Sequence, residues 1–164
     1  MTHPGVPGRP TRVLGLDVGE KRIGVALGDL ESRIAAPLIT LSRSRTTGED
    51  ACVIARLAAE HRAGALVVGL PLDMSGIEGT QALKTREWAE AVAEAAGLPV
   101  RYRDERLSSE RAERRMSAPA RGRAGGPPTT AQRDARRARI DREAAAVILQ
   151  DELDADADSG EDGR

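Results

Sequence analysis

Residues 12–29, RVLGLDVGEKRIGVALGD, constrain this chain more than any other stretch. Two apolar runs, Val13–Val18 and Ile23–Leu27, flank a short turn at Gly19–Lys21, which is the pattern of a β-hairpin. Alternation puts Val13, Gly15 and Asp17 on one face of the first strand and Leu14, Leu16 and Val18 on the other. In the second strand Ile23, Val25 and Leu27 oppose Arg22, Gly24, Ala26 and Gly28. Asp17 therefore stands in a strand that is otherwise apolar. A carboxylate is costly to bury unless it is paired or holds a cation, and glycines nearby allow a backbone or a polyanion to come close. The plainer alternative is that Asp17 caps the turn at Gly19–Lys21.

Beyond the hairpin, a third strand is expected around Arg33–Leu41. The segment GEDACVIARLAAEHRAG reads as a helix with Ile54, Leu57 and Ala58 on its buried face. Glu49 and Asp50 open it, His61 and Arg62 close it, and Gly64 is expected to end it. Cys52 is expected as a small core residue of this helix. ALVVGL (65–70) reads as a strand buried on both faces, and 71–79 as a loop in which Asp73 and Ser75 act as caps, with substrate contact as the alternative. Thr80 is placed to cap a second helix reaching about Ala96, stopped by Gly97 and Pro99. A fifth strand covers 100–105, and Ser108 is placed to cap a third helix ending near Met116. Residues 117–130 read as a flexible basic loop and 131–153 as a long last helix. This order predicts an α/β protein, with one mixed five-stranded sheet flanked by helices. The expected partition is a disordered arm at 1–11, a single domain at 12–153 and a disordered acidic tail at 154–164.

Composition narrows the function classes. The chain has no Phe, one Trp and one Tyr, so its core must be aliphatic and rich in small residues. No apolar run reaches the ~18–20 residues of a membrane span. The start of the chain lacks an apolar signal core, and Cys52 has no second cysteine to pair with. Together these fit a reducing cytoplasm. The net charge of −1 hides an uneven distribution. Residues 151–164 carry seven acids and one Arg, whereas 101–142 carry 13 Arg against six acids. That local excess favours a polyanionic partner, with a solvated helix face as the plain alternative.

Two further acids stand out. Glu105 ends the fifth strand and precedes a helix start, a common site position in open α/β sheets. Asp141 falls at the edge of the apolar stripe of Ile140, Ala144, Val147 and Ile148. Its plain reading is an ion pair with Arg137, four residues earlier. Three isolated acids from separate elements form a coherent set. Carboxylates are the oxygen ligands that suit Mg²⁺ or Mn²⁺, the ions that activate water in nucleases.

The motifs GLDVGEKRIGVA (15–26), VVGLPLDMSGIEGTQA (67–82), DERLSS (104–109) and IDREAAAVILQ (140–150) resemble the YqgF family, also called RuvX. The resemblance covers about residues 12–151. It implies a ribonuclease H-like fold and kinship with Holliday junction resolvases. It also implies a metal-dependent phosphodiester hydrolase acting in 5′-end processing of pre-16S ribosomal RNA, with Mg²⁺ or Mn²⁺ as cofactor. Carried over by motif, the catalytic and metal-holding acids are Asp17, Glu105 and Asp141. A fourth acid, usual in junction resolvases, would fall at Ala144. Lys21, Arg22, Arg106, Ser108, Arg121 and Arg123 are the candidates for holding substrate. The implied partners are structured RNA (precursor ribosomal RNA or ribosomal particles) or branched DNA, with the protein a monomer or weak homodimer. Two other readings stay open: a junction resolvase acting on four-way DNA, and a non-catalytic nucleic-acid-binding protein.

Overall fold

A computed structural model describes residues 10–106, 108–116 and 125–161. Three strands open the chain: β1 (Arg12–Val18), β2 (Arg22–Asp29) and β3 (Ile34–Ser42). Helix α1 (Thr47–His61), strand β4 (Ala63–Leu70), helix α2 (Thr80–Ala96) and strand β5 (Val100–Asp104) follow. Helices α3 (Ser108–Arg115) and α4 (Thr130–Glu161) complete it. The five strands form one sheet in the order β3-β2-β1-β4-β5. β1 pairs antiparallel with β2 and parallel with β4; β2 and β3 are antiparallel, β4 and β5 parallel. The mixed five-stranded α/β sheet is the one expected.

The alternation of β1 and β2 sorts the core into two halves. Leu14, Leu16, Val18, Ile23 and Val25 pack under α1 and α2 with Ile54, Ala58, Trp88 and Val92. Val13, Ala26 and Val67 face α4 and meet Ala145, Ala146, Ile148 and Leu149. α3 packs on α4. The run Ala144–Leu149 is therefore buried all round. Trp88 is the one large aromatic in this core, and its indole N–H donates to buried Asp50 at 3.1 Å. Asp50 also accepts from Arg43 Nε at 2.9 Å and from the Ser44 N–H at 2.8 Å. Burial alone would raise its pKa, but these donors from Ser44, Trp88 and Arg43 bring it below the usual carboxylate value. Asp50, expected only as a dipole partner at a helix start, ties α1 to α2 and to the end of β3.

Several boundaries differ from expectation. Thr46 caps α1 through a capping box with Glu49, and Arg62, at φ 55°, ends that helix in the left-handed conformation. Gly64 is already inside β4. Gly79, without a side-chain bond, precedes α2 where Thr80 was expected to cap it. Cys52 is exposed, because it falls on the outer side of α1.

The largest correction concerns the acidic tail, expected as disorder from 154 on. α4 continues to Glu161. Acids near a helix C-terminus oppose the dipole, which is why the pattern suggested an end. Side-chain partners offset that cost. Arg101 donates to Glu152 and Asp156, Arg103 pairs with Glu152, and Arg111 takes Asp151 in two bonds. Leu153 is buried among them. Three arginines of the basic 101–142 region are thus neutralised within the protein. Most of the expected arm, and residues 117–124 of the basic loop with Arg121 and Arg123, lie outside the described residues. No described helix is long and apolar enough to cross a membrane.

Candidate active site

Asp17 sits near the end of β1, on the face that α4 covers. Its ladder partner in β2 is Gly24. On the other side Leu16 pairs with Val68 of β4, and Gly69 follows. Glycine on both sides of the acid is what shapes the site. A methyl group at Gly24 would collide with the backbone carbonyl of Asp141. A methyl at Gly69 would lie 2.7 Å from Glu105 Oε2 and 2.6 Å from Ile148 Cδ1. The missing side chains admit one acid from α4 and another from beyond β5, on either flank of Asp17.

Glu105 follows the last residue of β5, and its N–H donates to the Leu70 carbonyl at 3.1 Å. Its carboxyl is hydrogen-bonded to that of Asp17. Two carboxyls in contact cannot both be ionised cheaply, so the pair shares a proton. Burial, opposed by the bond from Glu105 and aided by the charge of Asp141, raises Asp17 to about 6. Burial, then the charge of Asp17, pushes Glu105 higher, to about 9. Glu105 Oε2 is shut off from solvent and has no hydrogen-bond partner.

Asp141 stands close enough to repel Asp17, but its carboxylate is turned to Arg22. Arg22 Nε donates to Asp141 Oδ2 at 2.5 Å. The expected partner Arg137 instead faces Asp134, at 3.9 Å. Accordingly, among the described residues no three acids, His or Cys stand together as a ready metal-holding group. The donor chemistry still fits a divalent cation. A buried carboxyl oxygen without a partner, on an acid held neutral beside the more readily ionised Asp17, is a site that a cation would satisfy. Asp17 and Glu105 would hold it, with Asp141 as the third oxygen donor.

The other candidates are scattered. Lys21 is exposed at the hairpin turn, where its carbonyl accepts from the Arg43 N–H. Arg106 folds back on Asp104, with Nε to Oδ2 at 2.6 Å, and reaches the Met74 carbonyl. Ser108 is buried at the start of α3 and donates its N–H to the Glu105 carbonyl at 3.0 Å. Its backbone bond helps to position Glu105. Asp73 caps its own loop, accepting from the N–H groups of Ser75 and Ile77, both at 2.9 Å. The position of a fourth acid is held by Ala144, which is fully buried. Sequence reasoning named Arg22 but missed its partner. Alternation had already placed Arg22 and Gly24 on one face; which element covers that face was not legible.

RuvC of Thermus thermophilus in complex with Holliday junction substrate superposes with a TM-score of 0.51 at 16% identity, covering 90% of this chain and 96% of the other. A second Thermus thermophilus RuvC structure gives 0.52, also at 16% identity, covering 89% and 96%. The fold is therefore that of the ribonuclease H-like class. The RuvX family model, described as Holliday junction resolvase, matches residues 11–155, and the chain belongs to that family. An Anaeromyxobacter sp. (strain Fw109-5) protein named "Putative pre-16S rRNA nuclease" is 47% identical over 87% of this chain and 96% of its own length. A protein of that name from Chloroflexus aggregans is 43% identical over 87% and 93%. The enzyme class of this family is nuclease, a phosphodiester hydrolase.

Proposed function

We propose that this protein is a divalent-metal-dependent endonuclease that cuts structured RNA in 5′-end processing of pre-16S ribosomal RNA. The observation that carries the metal dependence is the Asp17–Glu105 pair, with its unpartnered buried oxygen, at the C-terminal ends of β1 and β5. When bound there, Mg²⁺ or Mn²⁺ supplies activation of a water nucleophile and charge stabilisation at the scissile phosphate. Asp17 and Glu105 hold that charge in place, and α3, through Ser108, fixes the backbone of Glu105. On α4, Arg133 and Arg137 precede Asp141 at intervals of four, so all three share one row of the helix. Both arginines are exposed, and the row gives a phosphate backbone a path toward the acids. The substrate class rests on the names of the relatives. The family description favours branched DNA as the second reading.

The deciding experiment incubates purified protein with precursor ribosomal RNA and with four-way DNA junctions, in Mn²⁺, Mg²⁺ or EDTA. Cation-dependent cleavage of the RNA, lost in a folded Asp17→Asn variant, is the expected result. Preferential cutting of the junction selects the second reading. Tight binding without cleavage in any cation leaves a nucleic-acid-binding protein.

A further inference from the structure

We infer that Arg22 is a positioning residue that exchanges Asp141 for a substrate phosphate, so that the third carboxylate joins the Asp17–Glu105 pair only when nucleic acid is bound. The inference rests on the metal-dependent nuclease reading.

The exchange is confined to side chains. The backbone of Asp141 cannot shift toward the sheet, because its carbonyl already packs against Gly24. One turn earlier, Thr40 Oγ1 of β3 donates to the Ala138 carbonyl and pins α4 across the sheet. Asp141 therefore has two arrangements: toward Arg22, as here, or toward Asp17. The Arg22–Asp141 pair lies at the rim, with the side chains 29% and 25% exposed, so a phosphate can reach the guanidinium from solvent. The pair differs from Arg43–Asp50 in its acid: the Asp141 side chain is 25% exposed, whereas that of Asp50 is 2% exposed and sealed in the core. A guanidinium binds phosphate with two parallel bonds, an arrangement its present single Nε contact to Asp141 does not provide.

When a phosphate takes Arg22, Asp141 loses its counter-ion beside two other acids. A divalent cation is then the charge that can satisfy it. In the free protein the same Arg22 competes with the cation for Asp141. Substrate and metal are thereby coupled, each raising the affinity for the other, as linkage requires. This arrangement spares the free enzyme a tightly loaded metal site and completes that site on the substrate.

Two measurements test it, neither needing cleavage. The first is Mn²⁺ affinity of the free protein, read from the electron paramagnetic resonance of unbound Mn²⁺. Arg22→Gln frees Asp141 and is expected to tighten Mn²⁺ about tenfold, equivalent to ~1.4 kcal/mol. Arg22→Lys keeps a counter-charge and should stay near the wild type. The second is affinity for a structured RNA in EDTA. Asp141→Asn releases Arg22 and should tighten RNA binding, a gain that must vanish in the Arg22→Gln background. If Arg22→Gln does not fold, Arg22→Lys replaces it, and the gain should shrink because the fork is lost. Unchanged Mn²⁺ affinity in a folded Arg22→Gln variant, with additive effects on RNA, overturns the exchange while leaving the metal site intact. Mn²⁺ binding that Asp17→Asn does not weaken removes the metal site itself, and both readings with it.

Discussion

At Asp17 the cost of burying a carboxyl is met by another acid, with a proton between them. The two pKa values are raised in the folded state, so folding binds protons that the unfolded chain has released. That contribution is complete below pH ~4 and is lost as pH rises through about 6 and then about 9. The lowered groups Asp29, Asp50, Asp73 and Asp104 act in the opposite sense, but only in the acid range. In EDTA the melting temperature should therefore fall between pH 5 and pH 9, by roughly 5–10 °C for a few kcal/mol. Mn²⁺ should recover much of that loss at high pH and little at low pH, because protons and cation compete for the same oxygens. Glu105→Gln should flatten the slope. A melting temperature indifferent to pH across this range would mean that the carboxyls are not in contact.

α4 carries the greatest load of any element. It covers Gly15, Gly24, Gly28 and Gly69, brings Asp141 to the site, and anchors α3. Gly24→Ala has no room, since the new methyl meets the Asp141 carbonyl. The expected loss is ~3 kcal/mol or more, with α4 displaced and Mn²⁺ binding weakened, measurable by chemical denaturation and metal titration. The far end of α4 is a structural part of the protein. Truncation after Ala157 keeps Leu153, Glu152 and Asp156 and should change the melting temperature little. Truncation after Gln150 removes the buried Leu153 and the partners of Arg101, Arg103 and Arg111, and should cost at least the ~2–5 kcal/mol of a core leucine. Equal stability of the two truncations would return the whole segment to a dispensable tail.

For the whole molecule, charge distribution decides where a polyanion can lie. The acidic end of α4 pairs with Arg101, Arg103 and Arg111, so acids already compete with phosphate for those three arginines. The exposed Arg133 and Arg137 remain on the half of α4 that leads to Asp141. Replacing both with Ala should weaken RNA binding and make the salt dependence shallower, by about 0.7–0.9 in the log–log slope per lost phosphate contact. The same replacements should leave the melting temperature near the wild type, because both side chains are exposed. An unaltered slope would place the substrate on another face.

Strand alternation in residues 12–29 was by itself enough to assign the two faces of the hairpin, and an apolar run located β4. These are local properties: a period of two is written in consecutive residues. The isolation of Asp17 in an apolar strand was legible for the same reason, as were the place of Glu105 at a strand end and of Asp141 at the edge of an apolar stripe. What tertiary structure alone decided is everything that depends on contact between distant segments. Register set Gly24 and Gly69 beside Asp17, and so determined that two acids flank it. Packing gave Asp141 to Arg22, 119 residues away, in place of the nearby Arg137. Arginines on β5 and α3 carried α4 through a run of acids that its own sequence reads as an end. Helix propensity and dipole effects are worth tenths of a kcal/mol per residue, and a buried leucine with several charge-assisted bonds outweighs them.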